Sequence, residues 1–332
     1  MKKARWGILG VAKINDRLLP SFAKARNLEL VGIASRSLDR AQAAAQAAGI
    51  PQAYGSYEAL LDDPSIDIVY NPLPNTLHAE WTKKAADRGK HVMCEKPLTP
   101  TAPEAQEVVD YCGARKVHLM DGFMWPHHPR TKMLRDFIDQ GKIGAVQRVV
   151  GAFTFKMEHL DTNNIRLQPD LGGGSLLDVG CYPIYGIRWA MQAEPVRVQA
   201  YARYVNGCDV EMHGTLWFTE DRVATFDCGF VHPFRQWLEI TGTEAAVFVP
   251  DMWLPAAKAT WVTTRERNLK VETPVEGIEG EDQIQHMLEN FSRYVLEKTP
   301  VVPAPTEAVK TLKVLDALAA SAKADGKMIE VR

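Results

Sequence analysis

The feature that most constrains this chain is an alternation: over roughly its first 120 residues, short apolar runs trade places with helical patterns. A parallel neighbour strand can be reached only through a long connection, and a helix is the compact form of one, so the pattern specifies a parallel sheet with crossover helices. Trp6–Leu9 reads as the first strand, Asn15–Lys24 as part of the helix after it, and Leu28–Ala34 as the second strand. Ser37 is placed to cap an alanine-rich helix, Leu38–Ala48, which Gly49 ends. Asp67–Tyr70, His91–Cys94 and Val117–Met120 read as further strands, and His78–Arg88 and Glu104–Cys112 as helices. This order predicts a doubly wound Rossmann domain over residues 1–122.

Past residue 123 the style changes. Val146–Phe155, Val196–Tyr204, His213–Phe218, Ala224–Phe230 and Gln236–Thr241 are strand-like. Phe226, Cys228 and Phe230 alternate with Thr225, Asp227 and Gly229, as on a half-buried antiparallel strand. The expectation is an α+β domain over 123–332 with a large, open, mostly antiparallel sheet. A proline-rich surface connection, Pro300–Pro305, then leads to a last helix capped by Thr306 and running to about Ala324.

Bulk properties narrow the function. With 332 residues, 46% hydrophobic and 24% charged, the chain can bury two ordinary cores. Lys plus Arg (39) nearly balances Asp plus Glu (41), and the one mildly basic stretch, Arg265–Lys270, is diluted by Glu266 and reads as a solvated turn. Nucleic acid is therefore not an expected partner. Five scattered cysteines without a C-x-x-C pair argue against a disulfide framework or a structural zinc, and no metal site is expected. MKKARWGILG passes from two lysines straight into a strand, without the apolar core of a signal peptide, and no run approaches the ~18 apolar residues of a membrane span. A cytoplasmic protein with no membrane partner is the expectation.

Gly7-Ile-Leu-Gly10-Val-Ala12 lies between the first strand and the following helix, where small residues let the backbone approach a pyrophosphate. Gly10, Ala12 and Asn15 take the three positions of G-x-G-x-x-G, an imperfect fit that a plain strand-to-helix turn would also explain. Its setting favours a dinucleotide held by Gly10, Val11, Ala12, Lys13 and Ile14. NAD sites usually end the second strand with an acid that binds the ribose 2′-hydroxyl. Here the run is Ala34-Ser35-Arg36-Ser37, and the nearest acid, Asp39, lies inside the next helix. Ser35 and the fork of donors on Arg36 suit a 2′-phosphate, so NADP is preferred and NAD stays possible.

Glu95-Lys96-Pro97 follows an apolar strand directly, and the carboxyl ends of such strands open onto the ligand crevice, which Lys96 should face. A surface lysine before a loop is the plainer alternative. In Gly172-Gly-Gly-Ser-Leu-Leu-Asp178-Val-Gly180-Cys-Tyr182-Pro183, three consecutive glycines announce a close backbone approach or an unusual turn, and a glycine-rich turn with a capping aspartate is the plainer alternative. Asp178 and Tyr182 are four apart and would share a helical face, and Pro183 places the helix start close to Asp178.

Together with Pro72-Leu73-Pro74-Asn75-Thr76-Leu77-His78 and Phe123-Met-Trp125-Pro126-His127-His128-Pro129, these motifs make the chain resemble the Gfo/Idh/MocA oxidoreductases along essentially its whole length. Tyr182 looks like the branch with glucose–fructose oxidoreductase, xylose dehydrogenase and dimeric dihydrodiol dehydrogenase. The resemblance implies that Pro72, Leu73, Asn75, His78, Glu95 and Lys96 also meet the cofactor. It further implies that Lys96, Asp178 and Tyr182 line the space beside the nicotinamide, and that the open sheet joins subunits into a homodimer or homotetramer. Pro126 and Asp121 depart from an arginine and a glutamate frequent in relatives, which leaves the substrate contacts open. The expected activity is metal-free hydride transfer between NADP and a CH–OH or C=O of a sugar, polyol or diol. Tyr182 would exchange the proton, Lys96 favour the phenolate, and Asp178 hold Lys96 or a substrate hydroxyl. Trp125, His128, Asn163, Asn164 and Arg166 are candidates to contact substrate. A nucleotide-sensing protein and an NAD-dependent glycoside hydrolase on the same fold are the alternatives.

Overall fold

The computed structural model describes residues 2–267, 270–272 and 275–332; the turn expected at Arg265–Lys270 includes Asn268 and Leu269, which lie outside the described residues. In chain order the first stretch runs β1 (Ala4–Leu9), α1 (Asn15–Lys24), β2 (Leu28–Ala34), α2 (Leu38–Ala48), β3 (Gln52–Tyr54), α3 (Tyr57–Leu61) and β4 (Ile68–Asn71). It continues through α4 (His78–Asp87), β5 (His91–Cys94), α5 (Ala102–Ala114) and β6 (Leu119–Asp121). All six strands pair in parallel in the order β3-β2-β1-β4-β5-β6, the doubly wound arrangement. Ser37 caps α2, and Gly49 ends it in the left-handed conformation. α5 begins two residues earlier than expected, because Pro103 is tolerated in a first helical turn.

The second stretch holds α6 (Pro129–Asp139), β7 (Val146–Lys156), a π turn (Leu176–Gly180), α7 (Cys181–Met191), β8 (Arg197–Val205), β9 (Cys208–Trp217) and β10 (Val223–Gly229). Then come β11 (Val231–Arg235), β12 (Leu238–Gly242), β13 (Ala246–Val249), β14 (Lys258–Arg267), β15 (Lys270–Glu272) and β16 (Val275–Glu279). α8 (Gln283–Glu297), α9 (Thr306–Lys323) and β17 (Ile329–Glu330) complete the chain. The sheet runs β15-β14-β13-β12-β7-β10-β9-β8-β17, with β11 on β7 and β16 on β14. Among the described pairings in it, β7 with β10 is parallel and the others are antiparallel. Thr306 lies in the first turn of α9 instead of capping it.

One cut at residue 122 was expected; the folded chain divides into Met1–His127 with Asp282–Val309, and His128–Glu281 with Lys310–Arg332. In the first unit, α8 packs on α1. Its cap Asp282 accepts from the amides of Ile284 (3.0 Å) and Gln285 (3.2 Å) and from Ser21 Oγ (2.8 Å). The Trp6 indole, fully buried, donates to Ser292 Oγ (2.9 Å) between the edges of Phe22 and Phe291.

In the second unit, Val149, Ala224, Phe226, Leu238 and Ile240 bury one sheet face beneath α7. Arg188 of α7 ties that layer to α9 through Thr311 Oγ1 (2.8 Å). The opposite face keeps Tyr201, His213 and Phe248 exposed. Among the described residues no helix is long and apolar enough to cross a membrane, and no cluster of three or more His, Cys, Asp or Glu is arranged to hold a metal ion.

Candidate active site

At the mouth of the parallel sheet, Gly10 has φ +95°, and a Cβ there would sit 3.0 Å from Leu73 Cδ2. Both facts call for glycine. Its carbonyl accepts from Asn15 Nδ2 (2.9 Å), so the residue at the third motif position ties the helix to the turn. The apolar Ile14 precedes α1 and no side chain caps it, which leaves that end suited to an anion. At the end of β2, Ser35 is buried, its amide donating to Tyr54 O (3.0 Å) and its Oγ accepting from Ser37 N (3.3 Å), and Arg36 is exposed. Arg40, on the first turn of α2, donates to Val11 O (3.0 Å). A second guanidinium thus stands at the glycine turn. These groups fit a phosphorylated dinucleotide: a backbone turn for its pyrophosphate, and two arginines with no carboxylate in Ala34–Ser37 for its 2′-phosphate.

The ends of β4 and β5 are braced against each other. His78 is completely buried, with Nδ1 2.9 Å from Pro97 O and Nε2 2.7 Å from Leu73 O. Burial, helped by the nearby Lys96 charge, pushes its pKa down, and the two carbonyls oppose this. His78 is therefore a strut between the Pro72–Asn75 loop and the Glu95–Pro97 loop. Tyr70 OH donates to Glu95 Oε1 (2.6 Å), and Glu95 Oε2 accepts from Lys96 N (3.2 Å). The backbone beneath Lys96, a half-buried residue, is held from both sides. Trp125 is fully buried in the short turn Trp125–His127.

In the second unit, the glycine run folds back on the loop before it. Gly174 N donates to Arg166 O (2.8 Å), and a Cβ on Gly173 would meet the same oxygen at 2.7 Å. The chain then enters the π turn, with Asp178 inside it and Tyr182 two residues beyond. The π turn starts at Leu176, two residues before Asp178, and Pro183 falls in the first turn of α7 after it. Such π turns recur at functional sites. Arg166 Nε donates to Asp178 Oδ2 (2.6 Å). Tyr182 is buried, its ring edge-on to Phe153 (centroids 5.0 Å) and tilted against Trp253 (6.1 Å). The other expected substrate contacts serve the loops themselves. His128 caps α6, accepting from Arg130 N (3.1 Å); Asn164 accepts from Arg166 N (3.1 Å); and the Asn163 side chain donates to Asp161 (2.9 Å).

The model of an oxidoreductase family with an NAD-binding Rossmann fold matches residues 4–123, and that of the GFO/IDH/MocA C-terminal domain matches 131–248. The chain belongs to the Gfo/Idh/MocA family. Within it, the chain is 38% identical over 323 residues to D-xylose 1-dehydrogenase (NADP(+)) 2 of Haloferax volcanii, covering 96% of this chain and 97% of that one. It is 30% identical to trans-1,2-dihydrobenzene-1,2-diol dehydrogenase of Xenopus tropicalis, over 76% of this chain and 77% of that protein. A 3-ketoreductase from Actinomadura kijaniata, crystallised with NADP and TDP-benzene, superposes with a TM-score of 0.89 at 30% identity, covering 96% of this chain and 98% of that one. Three supports in this Gfo/Idh/MocA chain escape a reading of motifs: Arg40, Tyr70 and Asp209, whose carboxylate accepts from Leu176 N (2.7 Å). Arg40 had a signal in its place on the first turn of the helix after Arg36. Tyr70 and Asp209 are ordinary strand residues until their partners are known.

Proposed function

We propose that the chain is an NADP-dependent oxidoreductase of a sugar, polyol or related diol, with Tyr182 as the proton-exchanging group. The observation that carries it is the pairing of exposed Arg36 with Arg40, which lies on Val11 O, at a strand end without a carboxylate. Its likeness to relatives named for NADP and for D-xylose or a diol supports the substrate class. Gly10 to Ile14 would receive the pyrophosphate, Ser35, Arg36 and Arg40 the 2′-phosphate, and Pro72, Leu73, Asn75, Glu95 and Lys96 the nicotinamide end, with His78 bracing the loops. Bound NADP supplies the redox chemistry, taking up or giving a hydride at its nicotinamide ring.

The protein supplies the proton path. An alcohol is oxidised only as its hydroxyl proton leaves, and tyrosine takes that proton only as the phenolate, which a positive charge favours by lowering the phenol pKa from about 10. Lys96 is the proposed source of that charge. Asp178, already holding Arg166, would orient the substrate hydroxyls with it, and Trp125 would wall the same substrate from beneath its loop. A panel of aldoses, polyols and diols assayed with NADP+ and NADPH, following nicotinamide absorbance, tests the reading. Turnover with a sugar or diol is expected, with higher catalytic efficiency for NADP than for NAD; reversal of that preference rejects the role of the arginines.

The exposed sheet face with Tyr201, His213 and Phe248 is the proposed homodimer or homotetramer surface, and sedimentation of a Tyr201→Glu variant checks it by the expected loss of the larger species. Five free, buried thiols fit a cytoplasmic setting.

A further inference from the structure

We infer that Asp209, on β9, is the positioning residue for the turn that carries Asp178 and leads into Tyr182. One oxygen of its carboxylate accepts both from Ser175 Oγ (2.6 Å) and from Leu176 N (2.7 Å). Leu176 opens the π turn, two residues before Asp178 and six before Tyr182. Ser175 holds the cap position, yet its own side chain makes no cap bond. Its hydroxyl donates away to Asp209, and the strand supplies the cap in its stead. A carboxylate at a helix N-terminus is favoured both by the free amides and by the aligned peptide dipoles.

The glycine run has its explanation here as well. Gly174 has φ +119°, and a Cβ on it would lie 2.3 Å from Asp209 Oδ1. Only a residue without a side chain lets the carboxylate reach the helix end. From below, Cys228 of β10 touches the same spot, its Sγ 3.7 Å from Ser175 Oγ.

What Asp209 fixes is the register of the helix. A π turn relaxes to an α turn by shifting one residue, and each residue of an α-helix turns the chain by about 100°. A helix end released from Asp209 can make that shift, which would swing Asp178 and Tyr182 out of their present alignment on Arg166 and Phe153. The inference rests on the proposed roles of those two residues. Its consequence is kinetic: misplacement of a reacting group by about 1 Å costs on the order of 10²-fold in rate.

The experiment compares Asp209→Ala, Asp209→Asn and Ser175→Ala with the parent enzyme and with Tyr182→Phe, measuring kcat, KM for sugar and NADP, the pH profile of kcat and the unfolding midpoint. Asp209→Ala should lose about 10²-fold in kcat, keep its KM for NADP within about twofold, and shift the pH limb of kcat. Asp209→Asn retains an oxygen for the same two donors and should recover most of the rate. If the alanine variant does not fold, the asparagine and Ser175→Ala variants carry the test, with Ser175→Ala expected to lower kcat at an unchanged NADP KM. Wild-type kcat and pH profile in folded Asp209→Ala, or in Ser175→Ala where the alanine variant does not fold, overturns the inference while an inactive Tyr182→Phe leaves the proton role intact. A fully active Tyr182→Phe beside an impaired Asp209→Ala has the reverse meaning: the tyrosine's role fails and the control of the turn stands.

Discussion

A guanidinium committed to a backbone carbonyl still has donors left over, and its commitment fixes where they point. Arg40 gives one N–H group to Val11 O, whereas Arg36 is exposed. A charge-assisted hydrogen bond contributes about 1.5–3 kcal/mol, equivalent to roughly 10- to 10²-fold in affinity. Arg36→Ala and Arg40→Ala should each raise the KM for NADP by about that factor and leave the KM for NAD nearly unchanged, as steady-state kinetics with both cofactors would reveal. At Tyr182 the packing makes a clean test available. Phe153 and Trp253 grip the ring itself, so Tyr182→Phe keeps the contacts and removes only the hydroxyl. A fall in kcat of about 10²–10⁴ is expected. Lys96, Asp178 and Tyr182 stand out in the sequence because each sits in a compact motif whose residue types are unusual together. Arg40 and Asp209 act on backbone 29 and 33 positions away, and such distances are set by the fold.

At the scale of elements, what could be read depended on punctuation. α2, between Ser37 and Gly49, carries its own start and stop, and its expected bounds coincide with the observed ones. The short strands β13, β15 and β16 have too few residues to display an alternation, and they form because neighbours in the sheet offer them partners. α8 has its marks in plain view, an aspartate cap followed by Ile284, Met287, Leu288 and Phe291 at helical spacing. Its attachment to α1 is another matter, since Ser21 and Asp282 are 261 residues apart. Burial tends to raise the Asp282 pKa, but the Ser21 hydroxyl, the two amides and Lys24 outweigh it, and the net shift is downward. Such a depressed carboxylate contributes stability in full above its unfolded pKa of about 3.9, and that contribution disappears as pH falls through the folded value. Asp282→Ala should therefore cost about 0.5–2 kcal/mol near neutrality, with the gap to the parent closing in strong acid; chemical denaturation at both pH values measures it.

For the whole molecule, buried imidazoles set the acid limit. Desolvation, with His118 beside one and His286 near the other, lowers His91 and His127 to about 4 each, and Asp67 only partly opposes this at His91. Unfolded histidine titrates near 6.5, so between roughly pH 4 and 6.5 the unfolded chain binds more protons than the folded one. Stability should be complete above about pH 6.5 and decline as pH falls through that window. Calorimetric midpoints should drop there, with a shallower slope in His91→Gln; a level midpoint down to about pH 4.5 would contradict the assignment. The two fold classes were visible from the rhythm of the sequence, but the return of residues 282–309 to the first unit was not, because rhythm carries no address.

That return sets a timetable for synthesis. The hydroxyl that receives the Trp6 indole hydrogen bond belongs to Ser292, 286 positions later in the chain. Until the stretch with Ser292 and Phe291 has been translated, the nascent Rossmann sheet waits with Trp6 and Phe22 uncovered, a state that invites chaperone capture. By the same logic, a fragment ending at His127 should emerge sticky and poorly folded, and supplying the Asp282–Val309 peptide alongside it should restore solubility.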